Sequence, residues 1–133
     1  MNYQIRPLQP EDVAFVFDNW LKTWRVSPYA GVIRNHSYFT ETRALIEDLF
    51  ARGMKVLVAD SGRSLLGFVA YEKKDRTIIH YAWTKAPYLN TRVLTHLIAA
   101  TDGEKPGFFT FFNRHLDRSG WTWTPEIARR KDL

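Results

Sequence analysis

The chain has 133 residues, a net charge of +5, 45% hydrophobic and 15% aromatic residues, and no cysteine. This length predicts one domain, and the lack of cysteine excludes disulfides and thiolate metal sites. We expect no secretory signal peptide, no membrane span and no bound metal, because the sequence lacks a long apolar run and its histidines lack ligand spacing.

The N-terminal part of the chain is predicted to form one strand and two helices. Residues 3–8 alternate and end near proline, which is typical of a short edge strand. Residues 10–24 begin with proline and acidic side chains and then repeat apolar residues at helical spacing. Residues 25–39 contain proline and glycine and are predicted to be a long loop. A second helix is predicted over residues 40–53, ending at a glycine.

The remaining elements are mostly short strands. Strands are predicted at residues 55–60, 65–73, 76–84, 108–112 and 121–124, and helical segments at residues 90–101 and 114–120. The order is β-α-α-β-β-β-α-β-(α)-β. Because helices and strands do not alternate regularly, a doubly wound sheet is excluded. We expect a single α+β (mixed α/β) domain over residues 1–133, with a central, mostly antiparallel sheet flanked by helices.

Three motifs in this order resemble the GNAT family of acetyl-CoA-dependent N-acyltransferases. Residues 5–8, Ile-Arg-Pro-Leu, look like the usual family start, and residues 66–70, Leu-Gly-Phe-Val-Ala, look like its third strand. Residues 120–123, Gly-Trp-Thr-Trp, resemble its terminal strand. The resemblance covers residues 5–124. It implies a GNAT-like fold, with acetyl-CoA as the cofactor if the protein is an enzyme.

The resemblance also locates a loop for coenzyme A. In the family, an aromatic-Arg-Gly-x-Gly-x-Gly/Ala stretch presents backbone N–H groups to the pyrophosphate at a helix start. The matching stretch, aligned without a gap, is Tyr88, Leu89, Asn90, Thr91, Arg92, Val93 and Leu94. Tyr88 keeps the aromatic position, but Asn90, Arg92 and Leu94 replace the small residues. Arg92 either binds phosphate through its side chain or is a solvated residue of the first turn.

Acetyl transfer would also need a proton donor and a base. The tyrosine that protonates the thiolate in the family aligns with Leu116, which cannot donate a proton. The adjacent His115 is a candidate acid, because histidine titrates near neutrality, although it faces another direction on a helix than residue 116. Glu72 and His80 are candidate bases. Alternatively, Glu72 is a surface charge at a hairpin end and His80 is a packed, hydrogen-bonded residue of a strand.

Two functions from different classes follow. The sequence is similar to degenerate GNAT-like proteins of short-tailed bacteriophages, which implies a non-catalytic structural or binding protein of a phage without a cofactor. Its partners would be proteins, including other virion proteins, and its location would be the virion or the host cytoplasm. The alternative is an active acetyl-CoA-dependent N-acetyltransferase with an atypical CoA loop.

The basic charge leaves a third partner open. The net charge and the cluster at residues 129–131 favour anionic partners such as nucleic acid, or simply provide a soluble basic surface. Within the predicted long loop, aromatic and basic side chains lie close in sequence and form a candidate contact surface. These side chains are Tyr29, Arg34, His36 and Tyr38.

Overall fold

The computed structural model describes residues 2–26, 35–88, 92–101 and 107–129. The strands are β1 Gln4–Pro7, β2 Lys55–Asp60, β3 Leu65–Lys73, β4 Thr77–Thr84, β5 Phe108–Phe109 and β6 Thr122–Trp123. The α-helices are α1 Val13–Arg25, α2 Asn35–Ala51, α3 Val93–Ala100 and α4 Arg114–Arg118, and 3-10 helices cover Pro10–Asp12, Ala86–Tyr88 and Pro125–Arg129. Within these ranges, no helix combines the length and the apolar character needed to cross a bilayer.

The six strands form one sheet in sequence order, from β1 at one edge to β6 at the other. The pairs from β1 to β4 are antiparallel, whereas β5 pairs parallel to both β4 and β6. The predicted mixed α/β fold with a mostly antiparallel sheet is therefore confirmed. The parallel pairs require crossover connections, which α3 and α4 provide.

The two faces of the sheet carry separate apolar cores. Helix α1 places Val16, Phe17, Trp20 and Leu21 on one stripe, and together with α2 it covers the face that contains Phe68 and Phe111. Helices α3 and α4 cover the opposite face, which contains Val69, Ile79 and Phe109. Burying each such large side chain contributes roughly 1.5–3 kcal/mol, so both helix layers are held by packing.

A close approach explains one glycine of the third strand. A Cβ atom at Gly67 would lie 2.5 Å from the backbone oxygen of Trp83 on β4. Only glycine allows β3 and β4 to pair this closely under α3, whose Leu97 would also contact that Cβ. The small residue in this motif therefore has a packing role.

The predicted long loop is wrong for residues 35–39, because α2 already begins at Asn35. Tyr38 is buried on α2, and its hydroxyl donates to the backbone oxygen of Leu21 at 2.6 Å. Because its partner on α1 is distant in sequence, the local pattern around Tyr38 could not predict this contact. Tyr38 is thus a core residue at this point, whereas Tyr29, Arg34 and the side chain of His36 lie outside the described residues.

Two other predicted boundaries shift by three residues. Strand β5 ends at Phe109 rather than at residue 112, and Phe111 turns toward the α1 face, where it packs edge-on against Trp20 and Trp24. Helix α3 begins at Val93 rather than at residue 90, with Arg92 at its N-cap. Strong apolar runs and good capping residues predicted longer elements than tertiary packing allows.

Candidate functional site

A bulge in the middle of the sheet positions His80. Strands β3 and β4 pair Ala70 with Tyr81 and Tyr71 with Ile79, so His80 is one extra residue in β4. A β-bulge breaks the alternation of side chains and redirects the extra residue. It places the imidazole in the interior, where it is 0% exposed and adjacent to β5.

His80 belongs to a buried polar cluster formed by Arg52, Glu72, His80 and Thr110. Its Nε2 lies 2.6 Å from Oε1 of Glu72, and its Nδ1 lies 2.8 Å from the hydroxyl of Thr110. Arg52, at the end of α2, donates from Nη2 and Nε to the same Oε1 at 2.6 and 2.9 Å. Three parts of the fold, the end of α2, β3 and β4, therefore meet at one carboxylate oxygen.

The structure contradicts the reading of Glu72 as a surface charge, since its side chain is only 2% exposed. The two lysines that follow it suggested a solvated hairpin end. The partner that allows burial is Arg52, twenty residues earlier, and local sequence cannot show that pairing. For His80, the alternative of a packed and hydrogen-bonded residue describes what is found.

The contacts fix the charges in the polar cluster. Burial by itself would raise the pKa of Glu72, but hydrogen bonds from His80 and Arg52 lower it to about 2. Burial lowers the pKa of His80 below its ordinary value, although Glu72 opposes this shift. At neutral pH, Glu72 is ionised and His80 is neutral. Nε2–H then donates to Glu72, and Nδ1 accepts from the Thr110 hydroxyl.

The cluster also holds the last described segment of the chain. Arg52 donates from Nη2 to the backbone oxygen of Ile127 at 3.1 Å and from Nη1 to that of Ala128 at 3.5 Å. The second oxygen of Glu72 is buried without a hydrogen-bond partner among the described residues, and the Lys74 ammonium lies 3.9 Å away. The cluster can therefore stabilise the fold and neutralise its own charges.

The segment aligned with the CoA loop is described at its two ends. Tyr88 is half-buried, whereas Leu89, Asn90 and Thr91 lie outside the described residues. Arg92 is exposed at the N-cap of α3, and its side chain makes no capping hydrogen bond. Val93 is fully buried and Leu94 is partly buried, and both pack in the apolar core under α3. The start of α3 thus presents a guanidinium outward and aliphatic groups inward.

Helix α4 carries Leu116, the position aligned with the tyrosine of the family, and the candidate acid His115. Leu116 is 1% exposed and belongs to the same apolar core as Val93. Its backbone N–H donates to the side chain of Asn113, which caps the helix at 3.1 Å. His115, the preceding residue, is exposed. The structure brings Glu72 and His80 together and leaves His115 on the surface of α4.

Sequence reasoning missed an aromatic cleft of about 370 Å³ between α2 and the β5–β6 edge. We define the aromatic cleft by four of its lining rings, Trp24, Tyr38, Phe111 and Trp123. Trp123 is 50% exposed, and its indole N–H donates to the backbone oxygen of Thr110 at 3.1 Å. Thr110 itself lines the cleft, so the polar cluster lies directly beneath it. The only sequence signal was the high aromatic content.

Solved structures identify the class of fold. The chain aligns with a GCN5-related N-acetyltransferase from Rhodopseudomonas palustris at 18% identity and a TM-score of 0.56, covering 77% of this chain but only 64% of that one. It aligns with a GNAT family acetyltransferase from Brucella melitensis in complex with acetyl-CoA at 16% identity and a TM-score of 0.58, covering 90% and 71% of the two chains.

A third structure, the PaiA N-acetyltransferase from Thermoplasma acidophilum in complex with coenzyme A, aligns at 16% identity and a TM-score of 0.53, with 90% and 75% covered. The sequence matches no protein-family model, and no curated protein matches it. This chain therefore has the GNAT acetyltransferase fold, as the motifs predicted. At such identities the likeness establishes the fold, and function has to be argued from the site.

Proposed function

We propose that this chain is a GNAT-fold protein that does not transfer acetyl groups and acts as a binding or structural protein. One observation carries the proposal. Among the described residues, Leu94 and Leu116 stand at positions aligned with the chemistry of the family and pack in the apolar core. The candidate bases Glu72 and His80 are already bonded to other buried residues. Side chains that could do chemistry serve the fold instead.

The start of α3 supports this reading first. A pyrophosphate held by backbone N–H groups needs close approach to the first turn of the helix, which glycine permits. At the described positions of this segment, Arg92 carries a long side chain and Leu94 packs a bulky one against the core. These residues do not fit a coenzyme A held in the family manner.

The proton-transfer positions support the proposal independently. Leu116 stands where the family has its acid and is buried among apolar side chains. A general base must come within about 2.6–3.2 Å of the proton that it removes. His80 is enclosed and both of its ring nitrogens are engaged, while Glu72 already accepts from Arg52 and His80. Neither candidate is available to an amine in solution.

The aromatic cleft is the surface proposed for binding. Tryptophan and tyrosine are enriched where proteins bind partners, because they offer a large apolar area and a polar atom. Trp123 is half exposed yet held by its bond to Thr110, so little side-chain entropy remains to be lost on binding. The likeness to phage GNAT-like proteins suggests that the partner is another phage protein, in the virion or during infection.

A thermal titration tests the loss of acetyl-CoA binding. We expect the melting temperature to stay unchanged in acetyl-CoA up to millimolar concentration. A ligand at 100 times its dissociation constant would stabilise the protein by about 2.7 kcal/mol, an easily measured shift. The acetyl-CoA-binding Brucella melitensis protein serves as the positive control. A concentration-dependent rise in melting temperature would overturn the proposal.

Co-sedimentation with phage particles tests the binding role, once neighbouring genes have identified the phage. We expect the wild type to travel with particles and Trp123→Ala to be released. Val26→Ala removes an exposed apolar side chain that is not among the residues lining the cleft, and it should remain bound. Wild-type protein found only as free monomer in every preparation would contradict the structural role.

One observation favours the alternative of an active acetyl-CoA-dependent N-acetyltransferase with an atypical loop. Arg92 is exposed at the start of α3, where a guanidinium could replace backbone contacts to phosphate. Two of the structures with this fold were solved with acetyl-CoA or coenzyme A. The titration above separates the two functions, since only the enzyme should respond to acetyl-CoA.

A further inference from the structure

We propose that the end of the sheet at the β3–β4 turn binds the phosphate backbone of nucleic acid without reading its sequence. Four exposed cations meet at this end: Lys55 begins β2, Lys73 ends β3, and Lys74 and Arg76 lie in the turn. The turn itself contributes one carboxylate, that of Asp75. We call these five residues the basic end.

A hollow of about 380 Å³ lies beside the basic end. Lys74 and Arg76 stand at its rim, and its apolar lining includes Ile78, Phe108 and Ile127. The Arg76 guanidinium lies over the Phe108 ring, 5.8 Å from the centroid. A planar cation resting on an aromatic ring is pre-organised for phosphate and can also stack on a base.

Among the described residues, the carboxylates outside the turn that lie closest to Lys74 and Arg76 do not cancel the charge of these two cations. Glu72 is the carboxylate closest to Lys74, at 3.9 Å, but it is buried and already paired with Arg52 at 2.6 Å. Lys74 therefore shares this one carboxylate with Arg52, and the two cations exceed it by one positive charge. Glu126 is exposed on the 3-10 helix Pro125–Arg129. It lies in sequence between Thr124 and Ile127, which line the hollow, and it repels an anion only from that side.

The spacing of the cations suits a polyanion. Neighbouring strands lie about 4.8 Å apart, so the basic end spans roughly 10 Å from β2 to β4. One strand of a duplex carries one phosphate per 3.4 Å of helix axis, so about three fall within that distance along the axis. Cations on successive strands can therefore meet successive phosphates, and nothing in such contacts depends on the bases.

Salt-dependent binding with two charge-matched variants tests the proposal. Lys74→Ala with Arg76→Ala removes two cations from the basic end. Arg63→Ala with Lys85→Ala removes two exposed cations from the opposite end of the sheet, after β2 and after β4, and leaves the same net charge. The probes are a fluorescein-labelled 20-base-pair DNA duplex and a 20-nucleotide single strand, measured by anisotropy at 50 to 200 mM salt.

We expect the wild type to bind both probes at low salt and to lose affinity for the duplex by about 3.5-fold per phosphate contact between 50 and 200 mM. The basic-end variant should have a duplex salt slope shallower by about two contacts, and the control variant should keep the wild-type slope. Glu126→Lys should bind more tightly. Circular dichroism checks that each variant is folded.

Three results would overturn the proposal. The first is the absence of binding by the wild type at 50 mM salt. The second is an equal loss of slope in both double variants, which would show that only net charge matters. The third is binding to vesicles containing 30% phosphatidylserine without binding to either DNA probe, which would assign the surface to membranes. Should the basic-end variant fail to fold, unchanged affinity of Glu126→Lys would also refute the proposal.

Discussion

The polar cluster under the aromatic cleft and the start of α3 use their side chains in opposite ways. In the polar cluster, a carboxylate and an imidazole that could take part in acid–base chemistry are buried and bonded to Arg52 and Thr110. At the start of α3, where the fold family holds a phosphate, Val93 and Leu94 fill the core. Groups that could take part in acid–base chemistry are structural in one region, and apolar groups fill the core in the other.

The comparison shows that an apparent catalytic pair can be explained by stability. A buried carboxylate is tolerated only when it is paired and hydrogen-bonded. Glu72 meets this condition through three donor atoms, and Arg52 in turn holds the backbone of Ile127 and Ala128. The cluster therefore joins α2, the central strands and the 3-10 helix Pro125–Arg129. For variants of this cluster, stability should therefore be measured before activity.

The largest expected effect is that of Glu72→Ala. Removing one partner of a buried ion pair leaves the other charge uncompensated and costs about 3–5 kcal/mol. Since Arg52 is partly exposed, we expect a loss near the lower end of that range in urea denaturation. Glu47→Ala, an exposed position on α2, should change the free energy of unfolding by less than about 0.5 kcal/mol. Equal effects of the two substitutions would show that the cluster is not structural.

Protonation of the same cluster should lower the free energy of unfolding in two steps as the pH falls. The pKa of His80 is lowered by burial from 6.5, so the unfolded chain takes up this proton first as the pH falls. The free energy of unfolding should therefore decrease as the pH falls below about 6.5. A further decrease is expected between pH 4.5 and about 2, because the pKa of Glu72 is lowered over that interval.

Denaturation curves at pH 7, 5 and 3 would measure this profile. His80→Gln cannot be protonated, so it should lose the decrease between pH 7 and 5 while keeping the one at lower pH. If His80→Gln keeps the wild-type profile, groups other than His80 cause the decrease between pH 7 and 5. A stability that rises as the pH falls from 7 to 5 would contradict the sign derived from a buried neutral imidazole.

The fold was more predictable than the site, for a physical reason. Strands β2 and β3 and the core stripe of α1 follow from local periodicity, which one stretch of sequence contains. The burial of Glu72 depends on Arg52, and the burial of Tyr38 depends on the backbone of Leu21. These partners are distant in sequence and become neighbours only after folding. The bulge at His80 likewise depends on pairing between strands.

Leu116→Tyr tests whether a phenol at the position aligned with the acid of the family can support acetyl transfer. Leu116 is 1% exposed, and a larger polar side chain there overpacks the core, typically at a cost of about 1–3 kcal/mol. We expect that loss in urea denaturation and no gain of acetyl transfer to amines. Leu116→Met, similar in volume, should cost less than about 1.5 kcal/mol. A tyrosine variant with wild-type stability and new transferase activity would mean that the site is open.

The smallest expected effect is that of Arg92→Ala, which probes the exposed cation at the N-cap of α3. Arg92 is exposed, and its side chain makes no capping bond, so its loss should change the free energy of unfolding by less than about 0.5 kcal/mol. Arg118→Ala removes the same charge from an exposed position on α4 and serves as the control. Isothermal titration with acetyl-CoA should give no heat of binding for the wild type or either variant. Binding by the wild type and by Arg118→Ala, but not by Arg92→Ala, would instead establish that a guanidinium has replaced the glycines, and it would support the enzyme.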